Sequence, residues 1–192
     1  GKQHGPMVLP TPSKPFGKAV KFVGKMAESP SKKGEDRTSV IGLDFGSHTV
    51  SISLYSIEKD VTDVIADDLG SRTIPTMVAF REEEILTGQA ASVQQHKNSE
   101  NTFEDVRSFL CTGEAEPADV PVPLLEKSIP ASKLGEHFFR NVHNQVKARE
   151  GKVVRDCVLT MPLMAPEDEA RLIKTAQAGG LRIKSIIPEA VA

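Results

Sequence analysis

Between Ser39 and Ile65 the chain reads as three strands in succession, and this run constrains the fold more than any other. Ser39–Gly46 (SVIGLDFG) is a buried-strand pattern that stops at a glycine. From Val50 to Ile57 the residues alternate, with Val50, Ile52 and Leu54 on one face and Ser51, Ser53 and Tyr55 on the other. Val61–Ile65 supplies a third strand, and Leu69-Gly70-Ser71 turns out of it. Connections this short join antiparallel neighbours, so the three strands form a meander. Thr76–Phe80 and Ile85–Leu86 read as shorter strands, and residues 112–130, rich in Pro, Glu and Ala, as a loop.

The period changes near residue 131. Leu134, Phe138, Val142 and Val146 recur four apart and predict a helix over Ala131–Glu150, with Gly151 just past its end. Val153–Met161 reads as a strand closed by Pro162. Pro166 opens a second helix whose Glu167, Asp168 and Glu169 complement the positive end of its dipole. Ala170, Ile173 and Ala176 form its expected inward face, Gly179-Gly180 its end, and Leu181–Ile187 a last strand. Strand–helix–strand after a meander predicts an α/β fold, a mixed sheet with helices packed on it.

The 192 residues suffice for one domain with a real core plus a tail. Residues 1–38 are read as a basic, flexible N-terminal tail and 39–192 as the domain. Seven Lys and one acid fall in residues 1–33, so the near-neutral total of −2 hides an acidic remainder. Phe16–Met26 carries apolar residues on one side and Lys14, Lys18, Lys21 and Lys25 opposite, a short basic amphipathic helix if it forms. A mitochondrial presequence, a membrane-surface helix, a ribosomal RNA contact and a solubilising tail all remain open for it. The tail is expected to be dispensable for folding, and no stretch has the apolar length of a membrane span. Cys111 and Cys157 read as ordinary thiols in a reducing compartment. His137 and His143 are wrongly spaced to share a metal on one helix face, which argues against a metalloenzyme.

The sharpest chemical signal is Asp44-Phe45-Gly46-Ser47-His48-Thr49. An acid ends a buried strand, and a glycine turn with small hydroxyl residues follows. Such a turn can aim backbone N–H groups at a phosphate, and Asp44 could hold a hydrated Mg²⁺ beside it. A plain β-turn is the alternative. Neither a G-x-x-x-x-G-K-[ST] loop nor a G-x-G-x-x-G fingerprint occurs.

Several further segments raise this signal together. Ile41–Gly46 followed by an alternating strand resembles the first phosphate hairpin of the actin-like ATPase (ribonuclease H-like) fold. Gly70-Ser-Arg-Thr-Ile-Pro75 leading to Val78-Ala79-Phe80 resembles the third strand and turn of the heat-shock protein 70 family. Leu86–Ala91 is similar to that family's G-x-x-A segment, and Asn101-Thr102 through Phe109-Leu110 to its N-T helix. Val158–Pro162 resembles its V-T-V-P strand, and Ile186–Glu189 its I-N-E-P turn. The matches are collinear from about residue 39 to 192.

The resemblance implies the first lobe of a nucleotide-binding domain, with ATP and Mg²⁺ held between it and a second lobe beyond Ala192. The implied nucleotide-binding residues are Asp44, Gly46, Ser47, His48 and Glu189, with Asp44 as metal ligand. No catalytic residue is assigned, because the family's catalytic lysine falls at Ser92, and Lys97 is too far along to replace it. His48 stands where the family has a threonine. The Arg expected after Pro162 falls at Glu169, with Arg171 two positions off. A kept fold with eroded catalytic groups is most like the divergent Ssz-type members. That likeness implies a chaperone subunit with little or no ATP hydrolysis, a J-domain co-chaperone, ribosomes and nascent polypeptides as partners, no DNA, and a cytoplasmic location. Mitochondria are the alternative if the tail is a presequence. The functional alternatives are an ordinary ATP-hydrolysing chaperone and, from the first hairpin alone, a sugar kinase.

Overall fold

The computed structural model describes residues 35–36, 38–67 and 70–191. The expected basic helix at Phe16–Met26 and the start of the turn at Leu69 lie outside the described residues. The main sheet contains β1 (Ser39–Phe45), β2 (Thr49–Ser56), β3 (Val61–Ile65), β4 (Asp156–Met161) and β5 (Arg182–Pro188). Their order is β5-β4-β1-β2-β3, and the short strand Ile74–Pro75 also pairs with β2. β1, β2 and β3 are antiparallel, as the meander requires, whereas β4 pairs in parallel with both β1 and β5.

Register explains the core. Cys157, Ile41 and Leu54 align across three strands, as do Leu159, Leu43, Ile52 and Ile65 across four. All seven are buried, and the intervening residues Gly42, Ser53 and Val158 face the other way and are less buried. A one-residue slip would invert every one of these side chains, so burial of one face fixes the pairing. β3 closes the sheet on one side, with Val61–Val64 exposed and only Ile65 buried.

Helix α1 spans Gln89–Gln94, α2 Val106–Leu110, α3 Ala131–Glu150 and α4 Pro166–Ala178. The stripe read from the sequence in α3 is the buried one: Leu134, Phe138, Val142 and Val146 are at most 2% exposed. Gly151 ends the helix at φ 65°, a left-handed geometry that glycine adopts without steric penalty. Phe138 and Phe139 pack on the fully buried Phe45 of β1, with ring centroids 5.7 and 5.3 Å away.

Several expectations are corrected. The segment 112–130 contains a hairpin, Val120–Val122 against Lys127–Ile129, because Val120, Val122 and Ile129 are buried while Pro121 faces outward opposite Ser128. The strand expected at Thr76–Phe80 is confined to Val78–Phe80, since Thr76 is engaged elsewhere. The strand expected at Val153–Met161 breaks at Arg155. Val153–Val154 pairs in parallel with Glu35–Asp36, two residues the composition places in the tail. Only Val106–Leu110 of the Asn101–Leu110 segment is α-helical; Thr102–Phe103 pairs with Val78–Ala79, and Asp105 caps the helix from a left-handed conformation.

The inward face of α4 is also rotated from expectation. Ala170 is exposed and Ile173 half-buried, whereas Asp168, Leu172, Thr175 and Ala176 are buried. Asp168 is therefore no solvated dipole partner. Its carboxylate accepts from Arg171 at 2.6 Å and from the Gly113 N–H at 3.0 Å. Arg171 also donates to the carbonyls of Leu110, Glu114 and Ala115. A buried pair that holds down a loop is a preorganised network, and losing one member strands the other charge. Arg171→Met should lower unfolding free energy by about 3–5 kcal/mol in urea titration, the cost of leaving Asp168 buried and unpaired. A loss below about 1 kcal/mol would show that the network carries no stability.

Two histidines on α3 are held toward the neutral form. Burial lowers the pKa of His143, and Arg155 and Lys147 add to the effect. Burial also lowers His137, with Arg140 next, while Glu136 opposes. The unfolded chain therefore binds more protons, and this contribution is present above the ordinary value of 6.5 and lost as pH falls below it. Thermal midpoints should fall between pH 7.5 and 5.5, and the His137→Gln, His143→Gln double variant should flatten that fall. An equally steep fall in the double variant would assign it to other groups.

Candidate functional site

β1, β4 and β5 run parallel, so their carboxyl ends share one edge of the sheet. Ligands of open α/β sheets bind at that edge. Asp44 is the penultimate residue of β1, on the face opposite the core, and its register partner on β4 is Thr160. Glu189 follows Pro188, the last residue of β5. Asp44, Gly46, Thr49, Thr160 and Glu189 line one open cavity of about 590 Å³. A larger depression of about 820 Å³, between Arg81–Ile85 and Lys127–His137, lies away from the strand ends and has mixed charge. Topology and convergent chemistry both select the smaller one.

The turn beside Asp44 is tight. The Gly46 N–H donates to the Thr49 carbonyl at 3.0 Å, and a Cβ on Gly46 would fall 2.7 Å from that same oxygen. Only glycine closes the hairpin this closely. The Gly46 N–H is thus used within the turn rather than offered to a ligand. At the tip, the N–H groups of Ser47 and His48 have no acceptor among the described residues. Buried Thr76 fixes the tip from beneath: its N–H donates to the His48 carbonyl at 2.9 Å, and its hydroxyl donates to the Ser47 carbonyl.

The structure therefore brings Asp44, Gly46 and Glu189 together. Ser47 and His48 lie in the adjoining turn, with Ser47 Oγ 3.2 Å from His48 Nδ1, but neither side chain is among those lining the cavity. Ser92 sits in α1, where its N–H donates to the Gly88 carbonyl at 3.1 Å, and it too is absent from the lining. Lys97 lines a different depression beside Phe80–Glu84. Arg171 is committed to Asp168 and the loop after α2.

Thr49, part of the turn signal, closes the hairpin, but two residues were not singled out in the sequence. Thr160 is the last outward residue of β4, which strand alternation before Pro162 would have located. Arg107 carries no local signal at all. From α2 its Nη1 lies 3.4 Å from the Phe45 carbonyl and 4.0 Å from Glu189 Oε1. The two thiols play no part: burial, aided by Asp168, pushes Cys111 up to about 11, and burial with Asp156 pushes Cys157 up to about 12. Both are protonated and inert near neutrality.

Two carboxylates and two threonines at one cavity form an all-oxygen donor set that suits a hard divalent cation, and the unpartnered N–H groups beside it suit a phosphate. The mixed sheet with helices packed on it is consistent with an actin-like ATPase lobe. The family model described as Hsp70 protein matches residues 40–192. The match covers most of the chain, and it takes in every strand of the main sheet, all four helices and every residue of the cavity. The chain belongs to the Hsp70 protein family.

Proposed function

We propose that the chain serves an atypical Hsp70-type chaperone subunit that binds nucleotide with little or no hydrolysis. The observation that carries this reading is Ser92, at the position of the family's catalytic lysine and away from the cavity lining. A cation there contributes to transition-state charge stabilisation worth several kcal/mol in phosphoryl transfer, and a serine hydroxyl supplies none of it. In this reading Asp44 and Glu189 hold a hydrated Mg²⁺, and the N–H groups of Ser47 and His48 face the phosphates. The bound ion would supply charge neutralisation on those phosphates. His48 stands where the family has a threonine, with its side chain outside the cavity lining. The same pattern supports an Ssz-type role on ribosomes, in the cytoplasm, with a J-domain partner and nascent chains. Among the described residues no helix is long and apolar enough to cross a membrane.

The family match removes the sugar-kinase alternative. An ordinary ATP-hydrolysing chaperone remains the competing reading, and phosphate release separates the two. With a J-domain protein present, this polypeptide should release no phosphate above background. In the full-length protein, Ser92→Lys with His48→Thr should raise hydrolysis. Turnover at the level of an ordinary chaperone in the unmodified protein would overturn the proposal, and an unchanged double variant would place the deficit elsewhere.

A further inference from the structure

Among the described residues no Lys or Arg lines the cavity, although two carboxylates do. Asp44 and Glu189 there would repel an anion unless a positive charge stands close by. The structure offers one from outside the lining. The Arg107 side chain is 21% exposed, and its Nη1 lies between the Phe45 carbonyl at 3.4 Å and Glu189 Oε1 at 4.0 Å. The first contact anchors the guanidinium to the residue between Asp44 and Gly46; the second sets it against the acid across the cavity. The helix that carries it is held at its far end, where Arg171 donates to the Leu110 carbonyl, and at its start by the Asp105 cap.

We infer that Arg107 is a positioning residue of this site: it orients Glu189 and offsets one of the two carboxylate charges, so that the cavity accepts a metal–phosphate anion rather than a bare cation. This rests on the nucleotide reading above and adds a cation that Ser92 does not provide. The planar guanidinium suits the role because it can meet a carbonyl and a carboxylate at once.

The inference predicts that two probes part company, which a purely structural role does not. In the full-length protein, Arg107→Ala should weaken binding of Mg²⁺–ADP by about tenfold, measured by calorimetry. Binding of Mn²⁺ alone, measured by electron paramagnetic resonance, should stay equal or tighten, because the acidic pair loses its counter-charge. Arg107→Lys should restore most of the nucleotide affinity, and the ligand-free thermal midpoint should be unchanged in both variants. Unchanged Mg²⁺–ADP affinity in Arg107→Ala, with Asp44→Asn abolishing it, would overturn this inference and leave the nucleotide reading standing. Parallel loss of both probes with a lowered midpoint would also overturn it, since Arg107 would then merely stabilise the fold. A wild-type protein that binds no Mg²⁺–ADP would overturn both.

Discussion

Phe45 is the residue on which the rest of the molecule turns. Its ring is fully buried against Phe138 and Phe139, and the three form a mutually tilted aromatic cluster at the end of β1. Aromatic cores of this kind combine large buried area with preferred ring geometry. Because strand side chains alternate, an inward Phe45 forces Asp44 outward, onto the face it shares with Thr160. The same anchoring brings the chain to Gly46 at a fixed angle, so the turn that follows starts from a rigid support. Chemistry at the sheet edge thus depends on hydrophobic packing one residue away, and the sequence cannot alter one without the other.

The sheet was legible because its information is local. Val50, Ile52 and Leu54 announce their face by alternation, and the four-residue spacing of Leu134, Phe138, Val142 and Val146 announces theirs. Where reading failed, tertiary packing had overridden local pattern. Ala170 and Ile173 look like an inward stripe, yet α4 is rotated so that Asp168 goes inside, because Arg171 and the Gly113 N–H satisfy its charge there. Composition made 112–130 a loop, but Pro121 at an outward position is compatible with a hairpin, and buried Val120 and Val122 secure it.

The site was legible in proportion to how much of it lies on strands. Asp44 and Gly46 are visible from the buried run and its glycine, and Glu189 from the resemblance of the segment that ends β5. Thr160 follows from alternation once β4 is placed. Arg107 is different in kind: it reaches Phe45 and Glu189 across 62 and 82 positions of chain, from a helix of five residues. No periodicity encodes such a meeting. It exists only because α2 is pinned between its cap and the α4 network, so the arrangement of loops, rather than any motif, delivers the charge.

The outer strand β3 has a bearing on how the molecule behaves among its own copies. Val61 and Val64 are about half exposed there, on a strand whose outer backbone edge has no partner among the described residues and would be a template for another chain. Asp63 pairs with Leu54, so its carboxylate stands at the end of the otherwise apolar row Cys157–Ile41–Leu54. A further strand continuing that row would have to bring an apolar side chain against a charge and strip it of water. At this margin a solvated charge opposes the burial that a further strand would need.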